Sequence, residues 1–270
     1  MKKSLSIVAI SIFILNGCGG SSGKSDNKST SFVIKNNKSV NLQELQKIGE
    51  KKSIQSSLKI AKSTATDVYS KNSSDIALEN DNICDSGSLD IKNDKDMLYS
   101  FDANNCSKDG LTIDGKIDIS VDEKNKKGSI DVKRDFRLND EGHTLFISKG
   151  SKIVANDKTI SADFKTKMDD KTIAAQNLSL SYQTDDNGGT FSFTSGALNI
   201  DDYYFEFVKQ ETPFKIDENG LSDGKLLLKD GAGHKVEISA KSDMLYLGID
   251  ENGDGNIEES EKVSFDELNL

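Results

Sequence analysis

The chain has 270 residues, with 35 Lys and Arg against 45 Asp and Glu, a formal net charge of −10, one Pro, no Trp, two His and three Cys. Apolar residues make up only 34%, which argues against a large core buried on two sides. The acidic balance argues against nucleic acid, whose phosphates call for clustered Lys and Arg. So few His and Cys leave little material for a His-dependent triad or a zinc site.

Residues 1–18 read MKKSLSIVAISIFILNGC: Lys2 and Lys3, then an apolar run from Leu5 to Leu15 broken only by Ser6 and Ser11. A run of about eleven residues is too short for a bilayer, which needs ~20, and fits the core of a signal peptide over residues 1–17. It ends in Leu15-Asn16-Gly17-Cys18, which resembles the lipobox of bacterial lipoproteins, where a small residue precedes a Cys that is diacylated and becomes the mature N-terminus. The resemblance implies lipid attachment at Cys18, a membrane partner reached through that anchor, and a place in the bacterial cell envelope. Gly19 after the Cys, with no Asp there, implies the outer membrane by the same resemblance. Residues 18–40 are expected as a lipidated flexible tether, because 19–31, GGSSGKSDNKSTS, carry no apolar side chain.

Residues 41–71 form the helical segment. Asn41 and Glu44 have the spacing of a capping box, and Ile54, Leu58, Ala61, Ala65, Val68 and Tyr69 recur at three- and four-residue intervals. Leu42, Leu45 and Ile48 lie on a different stripe, which predicts a break near Gly49. The polar face mixes Lys, Ser, Asp and Gln, unlike the basic face of a membrane-surface helix. This predicts an amphipathic cover for a sheet.

From about residue 86 the period is two. Ile117, Ile119 and Val121 alternate with polar residues, as do Leu178, Leu180 and Tyr182, then Phe191 and Phe193, then Tyr203, Phe205 and Phe207. Leu226 and Leu228 follow, then Val236, Ile238 and Ala240, then Leu245, Leu247 and Ile249. Asp114-Gly115, Asp186-Asn187-Gly188, Asn219-Gly220 and Asp230-Gly231 read as turns. Roughly ten to fourteen antiparallel strands follow, each with one apolar face. The expected fold is mainly β: a long antiparallel meander forming a curled sheet, half-barrel or sandwich, covered by the N-terminal helical segment. Residues 41–270 are read as one domain, and the curled sheet is preferred because one helical block precedes an uninterrupted meander.

With Cys18 lipidated, Cys84 and Cys106 remain, and an even pair in an exported chain reads as a disulfide, closing a loop of about 23 residues for ~3 kcal/mol. Free buried thiols and a redox pair are the alternatives, the latter without a CxxC. Cys84-Asp85-Ser86-Gly87-Ser88, Tyr99-Ser100-Phe101-Asp102-Ala103-Asn104-Asn105-Cys106 and Gly110-Leu111-Thr112-Ile113-Asp114-Gly115 together resemble a pattern in uncharacterised exported bacterial lipoproteins, in which a C-x-S-G-S strand pairs with an F-x-x-N-N-C strand before a DG-flanked turn. That resemblance covers about 40 residues, implies no activity, and favours pairing Cys84 with Cys106.

The strongest motif is Asp250-Glu251-Asn252-Gly253-Asp254-Gly255-Asn256-Ile257-Glu258-Glu259-Ser260-Glu261. It fits D-x-[DN]-x-[DN]-G-x₅-E throughout and resembles the EF-hand calcium loop. A cation of calcium's size takes six to eight oxygens. Asp250, Asn252 and Asp254 would supply side-chain oxygens, Asn256 its backbone carbonyl, Glu258 a direct or water-mediated oxygen, and Glu261 a bidentate carboxylate, with Gly255 permitting the sharp turn. The expected cofactor is Ca²⁺. Met244 to Ile249 alternates as a strand, and Glu258 to Leu268 is expected as a short helix, so a structural clip is expected rather than a sensor. Ile216-Asp217-Glu218-Asn219-Gly220 repeats Ile249 to Gly253, but Leu221 and Ser222 break the ligand pattern, which predicts a plain turn.

His143 and His234 follow Gly in turn-like contexts and are expected to face solvent. Asp169/Asp170 and Asp201/Asp202 read as surface turns. With no G-x-S-x-G, P-loop or G-x-G-x-x-G, no catalytic residue is named, and a carboxylate hydrolase is the weakest reading. The expected function is that of a non-enzymatic, calcium-binding envelope lipoprotein acting as a structural or interaction module with an envelope protein or lipid partner. The alternative is a carrier or chaperone for lipid or lipoprotein, whose half-barrel would be similar to the envelope lipoprotein carriers at fold level alone.

Overall fold

The computed structural model describes residues 31–44, 84–94, 98–122, 124–140, 143–169, 171–185, 188–217, 220–241 and 244–264. The signal peptide, Cys18 and most of the helical segment lie outside the described residues. Among the described residues fourteen strands run in chain order: β1 Ser86–Asp94, β2 Leu98–Lys108, β3 Leu111–Asp122, β4 Lys127–Asp140, β5 His143–Ile147, β6 Lys152–Ala155 and β7 Thr159–Met168. They continue with β8 Lys171–Asp185, β9 Gly188–Ile200, β10 Tyr203–Asp217, β11 Gly220–Asp230, β12 Lys235–Lys241, β13 Met244–Ile249 and β14 Glu259–Ser264.

Every strand pairs antiparallel with its neighbour in sequence, except that β5 and β6 both fill the space between β4 and β7. They are one strand interrupted at residues 148–151, where Ser151 is buried and its hydroxyl accepts from Lys165 N at 3.1 Å. All strands thus belong to a single sheet, as a period-two sequence with short turns dictates.

The register carries one apolar face across the whole width. Ile91 lies opposite Phe101, Phe101 opposite Ile117 and Ile117 opposite Val132. Farther along, Ile130 faces Ile153, Ala155 faces Ile160, Ile160 faces Leu180 and Leu180 faces Phe193. Leu228, Val236 and Ile249 complete it. From β6 to β13 these side chains form one contiguous core, with Ile160 at 1% exposure and Val236 and Ile249 at 0%. A single layer of strands reaches such burial by curling around its apolar face.

Two glycines make that curvature possible. Asp114-Gly115, expected as a turn, lies inside β3, where the register shifts between Asp114 and Lys116. Gly115 has φ +123°, and a Cβ there would lie 2.4 Å from the Asp135 carbonyl oxygen, so the dipeptide serves as a bulge and the turn falls at Asp109-Gly110, both with positive φ. At Gly224, φ +142°, a Cβ would lie 2.2 Å from the Phe214 ring, which stacks on Phe191 with centroids 5.2 Å apart.

Cys84 and Cys106 form the expected disulfide, with Cα atoms 5.3 Å apart, fastening the start of β1 to β2. Residues 31–40, expected as the end of the tether, are instead bound to the sheet as a strap. The Asn199 carboxamide accepts from Ile34 N at 2.6 Å and donates to Ile34 O at 3.1 Å. Val40 is buried in the core, its N–H donating at 3.0 Å to Asp230 Oδ2, while Asp230 Oδ1 accepts from His234 N at 2.8 Å. The expected capping box is present: Glu44 N donates to Asn41 Oδ1 and Asn41 N to Glu44 Oε2, each at 2.9 Å, at the turn of helix spanning 42–44.

Two outcomes follow. Asp230→Ala leaves the buried Val40 N–H and the part-buried His234 N–H unpaired and is expected to cost about 2–4 kcal/mol in urea unfolding, with faster hydrogen exchange at Val40. Burial, and after it the hydrogen bond to Glu44, pushes the Tyr203 phenol from 10.0 up to about 12. The fold favours the neutral phenol, so this stabilisation is complete below pH 10 and lost as the pH rises through about 12. Ultraviolet titration of Tyr203→Phe is expected to lack that late-ionising component.

Candidate metal centre

Residues 250–258 form the loop joining β13 to β14. Its base is closed by Asp250 N donating to Lys235 O at 3.0 Å and Glu258 N donating to Ile249 O at 3.2 Å. Asp250 is the anchor: 2% exposed, its Oδ1 accepts from Gly253 N and its Oδ2 from Gly255 N, both at 2.8 Å. Those bonds require the chain to coil tightly around one carboxylate, and Gly253 (φ 76°) and Gly255 (φ 96°) supply the left-handed backbone. Asn252 Oδ1 accepts from Asp254 N at 2.7 Å. Asp254 Oδ1 accepts from both the backbone N–H and the carboxamide of Asn256, at 2.8 and 2.9 Å.

Glu258 folds back across the loop, its Oε2 accepting from Glu251 N at 2.8 Å. As a result Asp250, Asp254 and Glu258 each present a carboxylate oxygen within 4.8 Å of the others. Three carboxylates held this close repel one another, and a hard divalent cation between them relieves that repulsion. The Asn256 N–H groups hold the Asp254 carboxyl below its ordinary value of 3.8, keeping it ionised. Folding therefore favours the carboxylate, a contribution present above pH 3.8 and lost as the pH falls through the lowered value.

Of the six expected ligands, the structure brings together Asp250, Asp254 and Glu258 and places Asn252 and Asn256 in the same loop. Glu261 lies in β14, its backbone opposite Leu247, and its side chain is outside the described residues. The exit element is a correction: Glu258 to Leu268 was expected to start a helix, but Glu259–Ser264 is strand β14. Without β14, β13 would be a sheet edge with unpaired N–H and C=O groups, and pairing them outweighs the helix propensity of a short isolated segment.

One participant has no signature in the sequence. Lys235, on β12, donates from Nζ to Gly255 O at 2.7 Å, so a fixed cation already sits beside the acidic loop. His234, expected to face solvent, is half-buried next to Gly253, its Nδ1 3.8 Å from Asp230 Oδ2. His143 begins β5 opposite Asp140, and its side chain lies outside the described residues. The copy at 216–220 is a hairpin turn with Asp217 paired to Gly220.

Two of the other acids expected in turns, Asp169 and Asp201, have structural partners. Asp169 and Asp201, both at φ 52°, use their carboxylates to accept from Thr144 N and Thr172 N at 2.9 and 2.8 Å. An open concavity of about 520 Å³ lies beside the strap, lined by residues as different as Val33, Lys35, Gln176, Tyr204, Glu206 and Phe207.

No protein-family model, curated protein or solved structure matches this chain.

The loop's two roles separate by mutation in chelator. Asp250→Ala strands the Gly253 and Gly255 N–H groups and is expected to lower unfolding stability by about 1–3 kcal/mol with no metal present, whereas Glu258→Gln, on the exposed side, is expected to change it by under about 0.5 kcal/mol.

Proposed function

We propose that the chain is a calcium-binding bacterial envelope lipoprotein, held to a membrane through Cys18 and acting as a non-enzymatic structural or interaction module. The convergence of Asp250, Asp254 and Glu258, with oxygens within 4.8 Å of one another, carries the metal half of this reading. The donor set is all oxygen and carries net negative charge, which suits a hard cation and not the soft metals that take thiolate or imidazole. Asn252, the Asn256 carbonyl and Glu261 would complete the shell. The strand on either side of the loop supports a structural clip, with affinity near the ~10⁻⁴–10⁻³ M of extracellular modules.

The anchor half rests on the leader: Lys2 and Lys3, the apolar run and Leu15-Asn16-Gly17-Cys18. The disulfide between Cys84 and Cys106 supports an oxidising compartment such as the periplasm or cell surface. The helical cover belongs to the same reading, and the capping box at Asn41 and Glu44 supports it.

Isothermal calorimetry on the full chain in detergent is expected to show calcium binding that Asp250→Asn and Glu258→Gln abolish. At about 10 mM calcium the stabilisation is expected to be about 1.4–2.7 kcal/mol, raising the melting temperature by several degrees. No heat and an unchanged melting temperature in chelator would refute the metal reading. Cys18→Ser is expected to move the protein from the membrane to the soluble fraction of expressing cells; an unchanged distribution would refute the anchor.

A further inference from the structure

The turn joining β11 to β12, residues 231–234, touches both the strap and the acidic loop. Buried Asp230, at its base, accepts from Val40 N at 3.0 Å and from His234 N at 2.8 Å. Gly231 packs directly on the strap: a Cβ there would lie 2.4 Å from Asn36 Oδ1 and 2.7 Å from the carbonyl oxygens of Asn36 and Lys38. Toward the loop, a Cβ on Gly253 would lie 3.6 Å from His234 Cδ2. Lys235 O accepts from Asp250 N at 3.0 Å, and Lys235 Nζ donates to Gly255 O at 2.7 Å. Two adjacent residues, His234 and Lys235, therefore join the turn to Asp230 and the loop to the turn.

The strap and the loop differ in how firmly each is held. Strand pairing of Ile249 with Glu259 closes the loop at its base. The strap is pinned at separate points: Ile34 by Asn199, Asn36 Nδ2 by Asp202 O at 2.7 Å, and Val40 by Asp230. Between them Ile34 is 72% exposed, and Lys35, Asn37, Lys38 and Ser39 lie on the surface. A segment held by a few hydrogen bonds with little burial opens before the sheet does, so the strap has two states, seated and released.

We infer that the strap and the acidic loop are energetically coupled through this turn, so that a seated strap favours a loop loaded with its cation. The inference deepens the calcium reading proposed above, resting on it for the ion but not for the contacts. Releasing the strap takes the Val40 N–H from Asp230 and frees the turn at Gly231. The Lys235 carbonyl and ammonium, which fix Asp250 N and Gly255 O, then lose their backing, and the loop holds its carboxylates less closely. A cation favours the state that keeps the oxygens of Asp250, Asp254 and Glu258 within 4.8 Å of one another, which is the seated one. Such coupling is reciprocal: the factor by which the strap raises cation affinity is the factor by which the cation holds the strap. The strap is the part of the described chain nearest in sequence to Cys18, so calcium would tighten the domain's hold on the segment leading to its proposed anchor.

Gly231 offers a selective test. Its φ lies outside the left-handed region, so the turn itself accepts a side chain, and the three nearest atoms that a Cβ would meet all belong to the strap. In the full chain in detergent, Gly231→Val is expected to weaken calcium binding by calorimetry about fivefold or more. In chelator it is expected to speed hydrogen exchange of the Gly253 and Gly255 amides beyond any change in β8. Where Gly231→Val does not fold, Ile34→Pro, which removes the strap N–H held by Asn199 and alters an exposed side chain, gives the same two readouts. Heat in the parent with unchanged affinity in the variant overturns the coupling and leaves the calcium reading standing. No heat in the parent refutes the calcium reading, and exchange in chelator then decides the coupling: faster Gly253 and Gly255 amides support it, unchanged ones overturn it.

Discussion

A strand that alternates apolar and polar residues can shed water from one side only, and a chain built of such strands must find something for that side to face. Here the sheet itself supplies much of the answer. From β6 to β13 it curls until the apolar side chains meet, and Phe164, Leu180, Val236 and Ile249 leave almost no exposed surface. The curvature depends on positions that an ordinary side chain would block, such as Gly115 against the Asp135 carbonyl and Gly224 against Phe214. The low apolar content is therefore compatible with a real core, since each strand spends only half its residues on it.

The strap ties this core to the N-terminal chain by main-chain chemistry more than by burial. Asn199 both accepts from and donates to Ile34, acting as a substitute strand, and buried Asp230 joins Val40 to the β11–β12 turn. Asp169 and Asp201 work in the same way, each closing a turn against the N–H of a neighbouring strand. Part of the chain's acidity is thus spent on satisfying backbone donors at turns, where Asp tolerates positive φ better than most residues.

What could be read in advance follows from the range of each signal. Strand alternation and the Asn41–Glu44 capping box are set within a few residues and were legible. Asp114-Gly115 was misread as a turn because the same pair suits a type I′ hairpin and a bulge, and only the partner strand, at Asp135, decides between them. The strap was invisible because its partners, such as the Asn199 carboxamide 165 residues from Ile34, lie far away in sequence. Glu258 to Leu268 was expected as a short helix leaving the calcium-type loop, whereas the free edge of β13 governs residues 259–264. In the acidic loop, the ligand spacing was legible but Lys235, fifteen positions before Asp250, was not.

The strand setting also determines what a cation in that loop can do. In a helix–loop–helix site, ligation can swing two helices apart, because each packs as an independent rod. Here Ile249 pairs with Glu259 directly at the loop's base, and Asp250 is held by two N–H donors that leave its carboxylate lone pairs for a cation. Hydrogen bonds within the loop and strand pairing at its base fix its backbone, which limits how far ligation could move the strands. The proposed calcium would relieve repulsion among Asp250, Asp254 and Glu258 and stiffen the β13–β14 hairpin at the end of the sheet. Its effect would be felt as resistance of that edge to opening, the weak point of any sheet that does not close on itself.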